Sequence, residues 1–224
     1  KLNWWREEVA RLFQRRPRHP VTRALLEPVE RFNLPEEYFL EVLDGMAMDL
    51  IQHSYADFKS LQLYCYRVAG VVGLMAAEIF GYTDRRTLDY AQNLGLAFQL
   101  TNIIRDIRED GQRQRLYLPL NELTPYGLTQ QDLWQPSPPE SALTLIRFQI
   151  SRARNFYKKA MESLPDADRY TQRSGLAMAA IYLEVLEKIH QNPRAVFNER
   201  ISLSPLRKLW LTWRTLRSIK KTPS

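Results

Sequence analysis

Four oxygen-bearing side chains recur at one-turn spacing in the segment LGLAFQLTNIIRDIREDG, residues 94–111: Gln99, Asn102, Asp106 and Asp110. Because successive residues of an α-helix are about 100° apart, these four, called here the polar stripe, share an arc of about 80°. Carboxylate and amide oxygens on one line suit Mg²⁺, which typically takes one or two carboxylates together with substrate phosphates. The pattern predicts a magnesium site, although the spacing alone leaves open a solvated polar helix face.

Arginines stand close to the polar stripe in sequence, at Arg105, Arg108, Arg113 and Arg115. The planar guanidinium group presents paired donors that match phosphate oxygens. Carboxylates, a bound cation and arginines together would form a clamp for a diphosphate group.

The elements that must position this clamp are helices. Apolar residues recur at helical spacing almost everywhere, so the fold class is predicted to be all-α. The predicted helices cover residues 3–15, 21–32, 35–53, 57–80, 84–111, 139–163, 171–191 and 205–220. Residues 117–140 carry five of the 13 prolines and are predicted to form one long irregular connection within a single domain, 1–224.

The composition excludes several classes of protein. The single cysteine, Cys65, excludes an internal disulfide framework. Three scattered histidines give no zinc-binding spacing, and no glycine-rich nucleotide-binding motif is present. The least polar run, residues 68–77, is shorter than the roughly 20 residues that span a bilayer. With charged residues in KLNWWREEV where a signal peptide would be apolar, the sequence predicts a cytoplasmic protein.

The net charge of +7 has one origin. Residues 200–224 contain no acid and seven bases, which are Arg200, Arg207, Lys208, Arg214, Arg217, Lys220 and Lys221. The rest of the chain is therefore balanced, and a nucleic-acid partner is not predicted.

The same C-terminal segment is amphipathic. At helical spacing its large apolar residues fall on one face: Leu206, Leu209, Trp210, Trp213 and Leu216. Flanking bases would suit peripheral contact with an anionic membrane surface. The alternative is a last helix that packs this face on the core.

Two longer segments resemble the motifs of a known family. LGLAFQLTNIIRDIREDGQRQRLYLP, residues 94–119, resembles the second aspartate-rich motif of the squalene/phytoene synthases, Q-x-x-N-x-x-R-D-x-x-E-D followed by R-G-R-x-Y-L-P. MAMDLIQHSYADFKSLQLYCYRVAGVVGLM, residues 46–75, resembles their segment in which M-D-L leads to Y-C-Y-x-V-A-G-x-V-G. The order and separation of the motifs make the resemblance specific, and it extends over nearly the whole chain.

The resemblance implies a class I isoprenoid synthase fold, a helical bundle around a central apolar cavity, and Mg²⁺-dependent prenyltransferase activity. The ending RISLSPLRKLWLTWR is most similar to the bacterial branch that joins two farnesyl diphosphates head to head into presqualene diphosphate, towards squalene or hopanoids. Phytoene synthesis from geranylgeranyl diphosphate is the alternative within the family. A non-catalytic, membrane-associated scaffold or assembly factor is the alternative from another class.

The resemblance also implies roles for individual residues. It implies metal ligands at Asn102, Asp106 and Asp110, substrate-binding residues at Arg105, Arg113, Arg115 and Tyr117, and catalytic residues at Gln99, Tyr64 and Tyr182. The two catalytic tyrosines would lie near the reacting carbons, where an aromatic face can steady a cation. For each of them the alternative is a core aromatic with a bonded hydroxyl. Asp49, in the M-D-L segment, is given no chemical role.

The chain departs from the family pattern in one important respect. The family's first aspartate-rich motif, D-D-x-x-D-E, precedes a segment resembling residues 1–9 and is absent here. Either the N-terminal helices that carry it are missing from this chain, or the chain is a homologue with half of the metal site. Because the second aspartate-rich motif is intact, the explanation that the N-terminal helices are missing is favoured. The cavity should then be open on one side. A smaller departure is Gln114, where the family often has glycine.

Overall fold

The computed structural model describes residues 1–219, and Lys220 and Lys221 of the basic tail lie outside them. Within residues 1–219 there are eleven α-helices and no β-strand beyond one isolated bridge, so the all-α prediction is confirmed. The helices are α1 (Leu2–Phe13), α2 (Pro20–Arg31), α3 (Glu36–Ile51), α4 (Phe58–Cys65), α5 (Val71–Phe80), α6 (Arg86–Arg105), α7 (Ile107–Gln112), α8 (Gln130–Trp134), α9 (Glu140–Ser163), α10 (Arg173–Gln191) and α11 (Pro205–Ser218).

Two predicted helices are interrupted. The predicted helix 57–80 consists of α4 and α5 joined by a π-helical turn, Tyr66–Gly70. The predicted helix 84–111 divides into α6 and α7 at Asp106, whose φ of −99° and ψ of 13° leave the helical region. The Asp110 N–H still donates to the Asp106 carbonyl at 2.9 Å, so the polar stripe keeps its one-turn register across the break.

The proline-rich connection is more ordered than the sequence predicts. Residues 117–140 contain two 3₁₀ turns, Leu120–Glu122 and Thr124–Tyr126, followed by α8. A capping box begins α8, in which Thr129 and Asp132 each accept the other's backbone N–H. This local capping is the reason that a five-residue helix forms there.

Helix α6 forms the centre of the bundle. The residues beside its polar stripe are buried, as predicted: Leu96, Leu100, Ile103 and, at the start of α7, Ile107. In the N-terminal half of α6, the α5 backbone comes so close that a Cβ on Gly73 would lie 2.4 Å from the Ala91 carbonyl oxygen. Only glycine permits this approach, which brings α5 against the stripe-bearing helix α6.

The α4–α5 segment corrects the expectation that no apolar run of this chain is long enough to span a bilayer. As one continuous helical run, Phe58–Phe80 has 23 residues, and an 18-residue window within it has a mean hydropathy of 1.4 and is 33% buried. The run is therefore long and apolar enough to cross a membrane by length and composition. The core helix of a folded protein satisfies the same criteria. Its tight packing against α6 through Gly73 fits that second explanation.

Two segments far apart in sequence pair beside the end of α3. The Leu116 N–H donates to the His53 carbonyl at 2.9 Å, and the Leu120 N–H donates to the Tyr55 carbonyl at 2.9 Å. This pairing places the residues just before Leu116 next to the last turn of α3. Arg115, which follows α7, therefore meets Asp49 of α3.

A buried carboxylate fixes the start of α6. Asp168, between α9 and α10, accepts from the Thr83 N–H and Oγ1 at 2.7 Å each, from the Asp84 N–H at 3.0 Å and from Thr87 Oγ1 at 2.7 Å. Burial by itself raises the pKa of this carboxyl, but the four hydrogen bonds outweigh it and the pKa is lowered.

Replacing Asp168 by alanine should destabilise the protein by about 3 kcal/mol at neutral pH, because buried donors lose a charged acceptor. A depressed carboxyl pKa contributes stability above the unfolded-state pKa, and this contribution is lost as pH falls through the folded-state value. Urea unfolding at pH 7 and below pH 4 should therefore show the difference between parent and Asp168→Ala shrinking in acid. Asp166→Ala, in the same turn but exposed, is the matched control and should change little.

Candidate active site

The polar stripe faces a pocket and not open convex surface. Gln99, Asn102, Asp106 and Asp110 line a polar pocket of about 200 Å³ together with Tyr64, Arg105 and Tyr117. This arrangement brings seven of the ten sequence-predicted site residues to one place. The prediction that the stripe points inward is confirmed.

A larger apolar cavity adjoins this polar pocket. It has a volume of about 310 Å³ and shares Gln99 and Asn102 with the polar pocket. Its other walls come mainly from α5, α6 and α10 and include Val68, Leu94 and Phe98. Three lining residues are far from buried, with exposures of 46% at Val72, 40% at Phe80 and 47% at Met178. The cavity is open to solvent on that side. The carboxylates lie in the polar pocket that adjoins the cavity at Gln99 and Asn102.

The two carboxylates of the stripe are held differently. Asp106 accepts from Arg105 at both oxygens, at 2.8 and 2.6 Å, and from Arg200 at 3.3 Å. Among residues 1–219, no arginine pairs with both oxygens of Asp110 in this way. Burial, followed by repulsion from Asp106, raises the pKa of Asp110 to about 6 in spite of Arg113 and Arg115. At Asp110, burial and the neighbouring Asp106 charge therefore outweigh the attraction of the two arginines.

The polar atoms of the pocket fit a hard cation. The Asn102 Oδ1 atom is buried without a hydrogen-bond partner, while its Nδ2 reaches the Gln99 Oε1 at 3.5 Å. No cluster of three or more His, Cys, Asp or Glu side chains within residues 1–219 is arranged to hold a metal. The donors available are thus two carboxylates and one amide oxygen, which is enough for Mg²⁺ only when water and phosphate supply the rest.

Asp49, at the end of α3, is a residue that sequence reasoning missed. Its Oδ1 accepts from the hydroxyls of Tyr64, at 3.2 Å, and Tyr117. Its Oδ2 accepts from Arg115 Nη1 at 3.0 Å, and its backbone carbonyl accepts from Arg115 Nη2 at 3.0 Å. One carboxylate thus orients three of the predicted site residues. In the sequence, the position of Asp49 in the M-D-L segment was the one feature that pointed to a role for it.

The tyrosines form a stack above this carboxylate. The Tyr117 ring lies 5.4 Å from that of Tyr64 and 5.9 Å from that of Tyr55, with interplanar angles of 26° and 24°. Burial raises the pKa of all three phenols, and that of Tyr117 reaches about 12. Their hydroxyls remain protonated at neutral pH. Those of Tyr64 and Tyr117, which line the polar pocket, donate to Asp49, whereas the Tyr55 hydroxyl is buried without a partner among the described residues.

Tyr182 lies in a neighbouring pocket and not in the one lined by Tyr64. Its ring packs 4.6 Å from Phe98, a residue of the apolar cavity. With Arg105, Arg200 and Lys208 it lines a second polar pocket of about 330 Å³. Arg105 separates the two pockets and borders both. Arg200, counted in the sequence only as a tail charge, is the second residue that sequence reasoning missed.

Arg113 lies at the edge of the site. Its side chain is exposed, and it acts on Asp110 through its charge. The turn that follows it contains Gln114 at a φ of +57°, in the left-handed region. Glycine adopts that region without strain, which explains why a glycine suits this position. Arg108 is also exposed and does not line the polar pocket.

Comparison with known proteins agrees with this geometry. The squalene/phytoene synthase family model matches residues 1–207. The phytoene synthase of Arthrospira platensis is 35% identical over 221 residues, which cover 93% of this chain and 72% of that protein.

Solved structures show the same fold. A dehydrosqualene synthase in complex with ligand superposes with a TM-score of 0.86 at 28% identity, covering 99% of this chain and 78% of that one. The squalene synthase HpnC from Alicyclobacillus acidocaldarius gives a TM-score of 0.70 at 25% identity, covering 88% and 70%. The chain therefore belongs to the squalene/phytoene synthase family of prenyltransferases, with the isoprenoid synthase fold.

Proposed function

We propose that this protein joins two farnesyl diphosphates head to head into presqualene diphosphate and that it depends on Mg²⁺. The observation that carries the proposal is a carboxylate- and arginine-lined pocket that adjoins an apolar cavity at Gln99 and Asn102. A substrate with an anionic diphosphate head and a long hydrocarbon tail matches both halves of this space. The C-terminal sequence favours farnesyl diphosphate, as does the similarity to a dehydrosqualene synthase.

In this proposal, Asp106, Asp110 and Asn102 would hold the cation. Bound Mg²⁺ would neutralise charge on the diphosphate as it leaves. Arg105 and Arg115 would donate to phosphate oxygens, and Arg113 would add positive charge at the edge. The repulsion between Asp106 and Asp110 supports this assignment, since a bound cation would relieve it.

The remaining residues would serve the carbon chemistry. The allylic C–O bond breaks with its electron pair on the diphosphate, the second substrate's double bond attacks the cation, and proton loss closes the cyclopropane ring. A dry apolar cavity protects the cation from water. The Tyr64 ring face could steady the cation beside the polar pocket, and Gln99 lies where that pocket meets the cavity. Tyr182, which lines the second polar pocket with Arg105, would support the phosphate side.

A second substrate is favoured by a different observation. The Arthrospira relative, at 35% identity, is named a phytoene synthase. Two geranylgeranyl diphosphates would then occupy the same site, and their longer chains would extend farther along the cavity towards its open side, where Phe80 and Met178 lie.

The full-length protein should be incubated with farnesyl or geranylgeranyl diphosphate, each with and without Mg²⁺, and the products identified by mass. We expect presqualene diphosphate from farnesyl diphosphate, only when Mg²⁺ is present. Product from geranylgeranyl diphosphate alone would replace our substrate with the phytoene alternative. Turnover in the presence of a chelator would contradict the metal assignment, and no product from either substrate would favour the non-catalytic scaffold.

A further inference from the structure

Helix α11 leaves its largest apolar residues uncovered. Only Leu211 of this helix is buried. The exposed ones are Leu206 at 78%, Leu209 at 66%, Trp210 at 41%, Trp213 at 55% and Leu216 at 40%. At about 100° per residue these five share an arc of about 120°, and Leu211 lies outside it. The alternative that this face packs on the core is therefore wrong for the described structure.

Basic groups border this apolar face. Between residues 205 and 219 there are four bases and no acid, the bases being Arg207, Lys208, Arg214 and Arg217. The guanidinium groups of Arg207 and Arg214 lie 4.5 and 4.9 Å from the Trp210 ring centroid, and that of Arg217 lies 5.0 Å from that of Trp213. Of these, only Arg207 has an acidic partner within residues 1–219, Glu184 at 2.6 Å.

We propose that α11 docks this face on an anionic lipid bilayer, parallel to its surface. Tryptophan rings settle at the boundary between headgroups and acyl chains, and arginines beside them reach lipid phosphates. Basic side chains along one edge of the apolar face are complementary to an anionic surface, whereas a protein partner would have to supply a matching apolar groove with an acidic border. The proposal stands on α11 alone and does not depend on the proposed function.

Docking in this way has a consequence for the active site. Lys208 lies on α11 away from the apolar arc and lines the second polar pocket with Arg105 and Arg200. A docked α11 would hold that cationic pocket close to the membrane surface. Reactants and products with long hydrocarbon chains would then be exchanged with the bilayer over a short distance.

The test is co-sedimentation of the full chain with vesicles of phosphatidylcholine alone or mixed with phosphatidylglycerol. We expect binding only to the mixed vesicles and weakening as salt rises. Arg214→Gln with Arg217→Gln should weaken binding about tenfold or more, given the contribution of each base near such a surface. The matched control, Arg16→Gln with Arg18→Gln, removes the same charge from exposed positions elsewhere and should lower binding much less.

A second variant tests the apolar face. Trp210→Ser with Trp213→Ser should abolish sedimentation, while Trp4→Ser, which alters a tryptophan of similar exposure on α1, should not. Both variants should lose little thermal stability, since these side chains are 41–55% exposed in the folded chain. Equal binding of parent and α11 variants would overturn the proposal. So would absence of vesicle binding together with self-association, measured by light scattering, that the tryptophan variant removes.

Discussion

Asp106→Asn and Asp110→Asn should each lower turnover by about a hundredfold to a thousandfold. Each substitution keeps the size of the side chain but removes a negative charge from a pocket in which Asp106 and Asp110 are the only carboxylates among the described lining residues. Stabilisation of the departing diphosphate would be lost with that charge. The measurement is the steady-state rate at saturating Mg²⁺ with the substrate that the wild-type chain accepts.

Asp89→Asn is the matched control for these two variants. It makes the same chemical change on the same helix, α6, at an exposed position in the first turn, far from the pocket. Its turnover should equal that of the parent. If Asp106→Asn or Asp110→Asn also turned over at a parental rate, the assignment of these residues to the cation would be wrong.

Because the pKa of Asp110 is raised, a stability measurement on Asp110→Asn can distinguish loss of catalytic activity from loss of folding. A carboxyl whose folded-state pKa is raised contributes stability in acid, and this contribution disappears as pH rises through the folded value of about 6. At pH 7.5, without metal, the ionised Asp110 therefore disfavours the folded state. Asp110→Asn removes that penalty and should be at least as stable as the parent at this pH. A variant that is inactive and equally stable has lost its chemistry.

The sequence could predict those features of the fold and the site that depend on residues close together in one helix. The polar stripe needs only the 100° rotation of one helix, so its inward direction follows from the leucines and isoleucines beside it. Even the break at Asp106 did not disturb this prediction, because the hydrogen bond from Asp110 to Asp106 preserves the register. The helices were predicted to within a few residues for the same reason.

The parts that could not be predicted depend on contacts between distant segments. Asp49 meets Arg115 and Tyr117 only because the chain around Leu116 pairs with the backbone that follows α3, and no periodicity reports such pairing. Arg200 reaches Asp106 across 94 positions. The separation of Tyr182 from Tyr64 likewise depends on where α10 meets α6.

Asp49→Asn should lower kcat/KM by about tenfold to a hundredfold, as the loss of an outer partner of a binding group usually does. An amide at this position cannot serve all of its present partners. If its oxygen accepts from the Tyr64 and Tyr117 hydroxyls, its NH₂ group faces the Arg115 guanidinium, and two donors then oppose each other. Because Arg115 would bind substrate before reaction as well as during it, most of the loss should appear in KM.

Asp44→Asn on the same helix is the control, since its partners are Arg6 and Arg67 and not the tyrosines. A double-mutant cycle then tests whether Asp49 acts through Arg115. If it does, Asp49→Asn should cost far less in an Arg115→Gln background than in the parent, because the group that it positions is already gone. Fully additive effects would mean that Asp49 contributes independently of Arg115, through the two tyrosines alone. Parental kinetics in Asp49→Asn would mean that the hydrogen bonds at this carboxylate stabilise the fold without positioning any group that substrate touches.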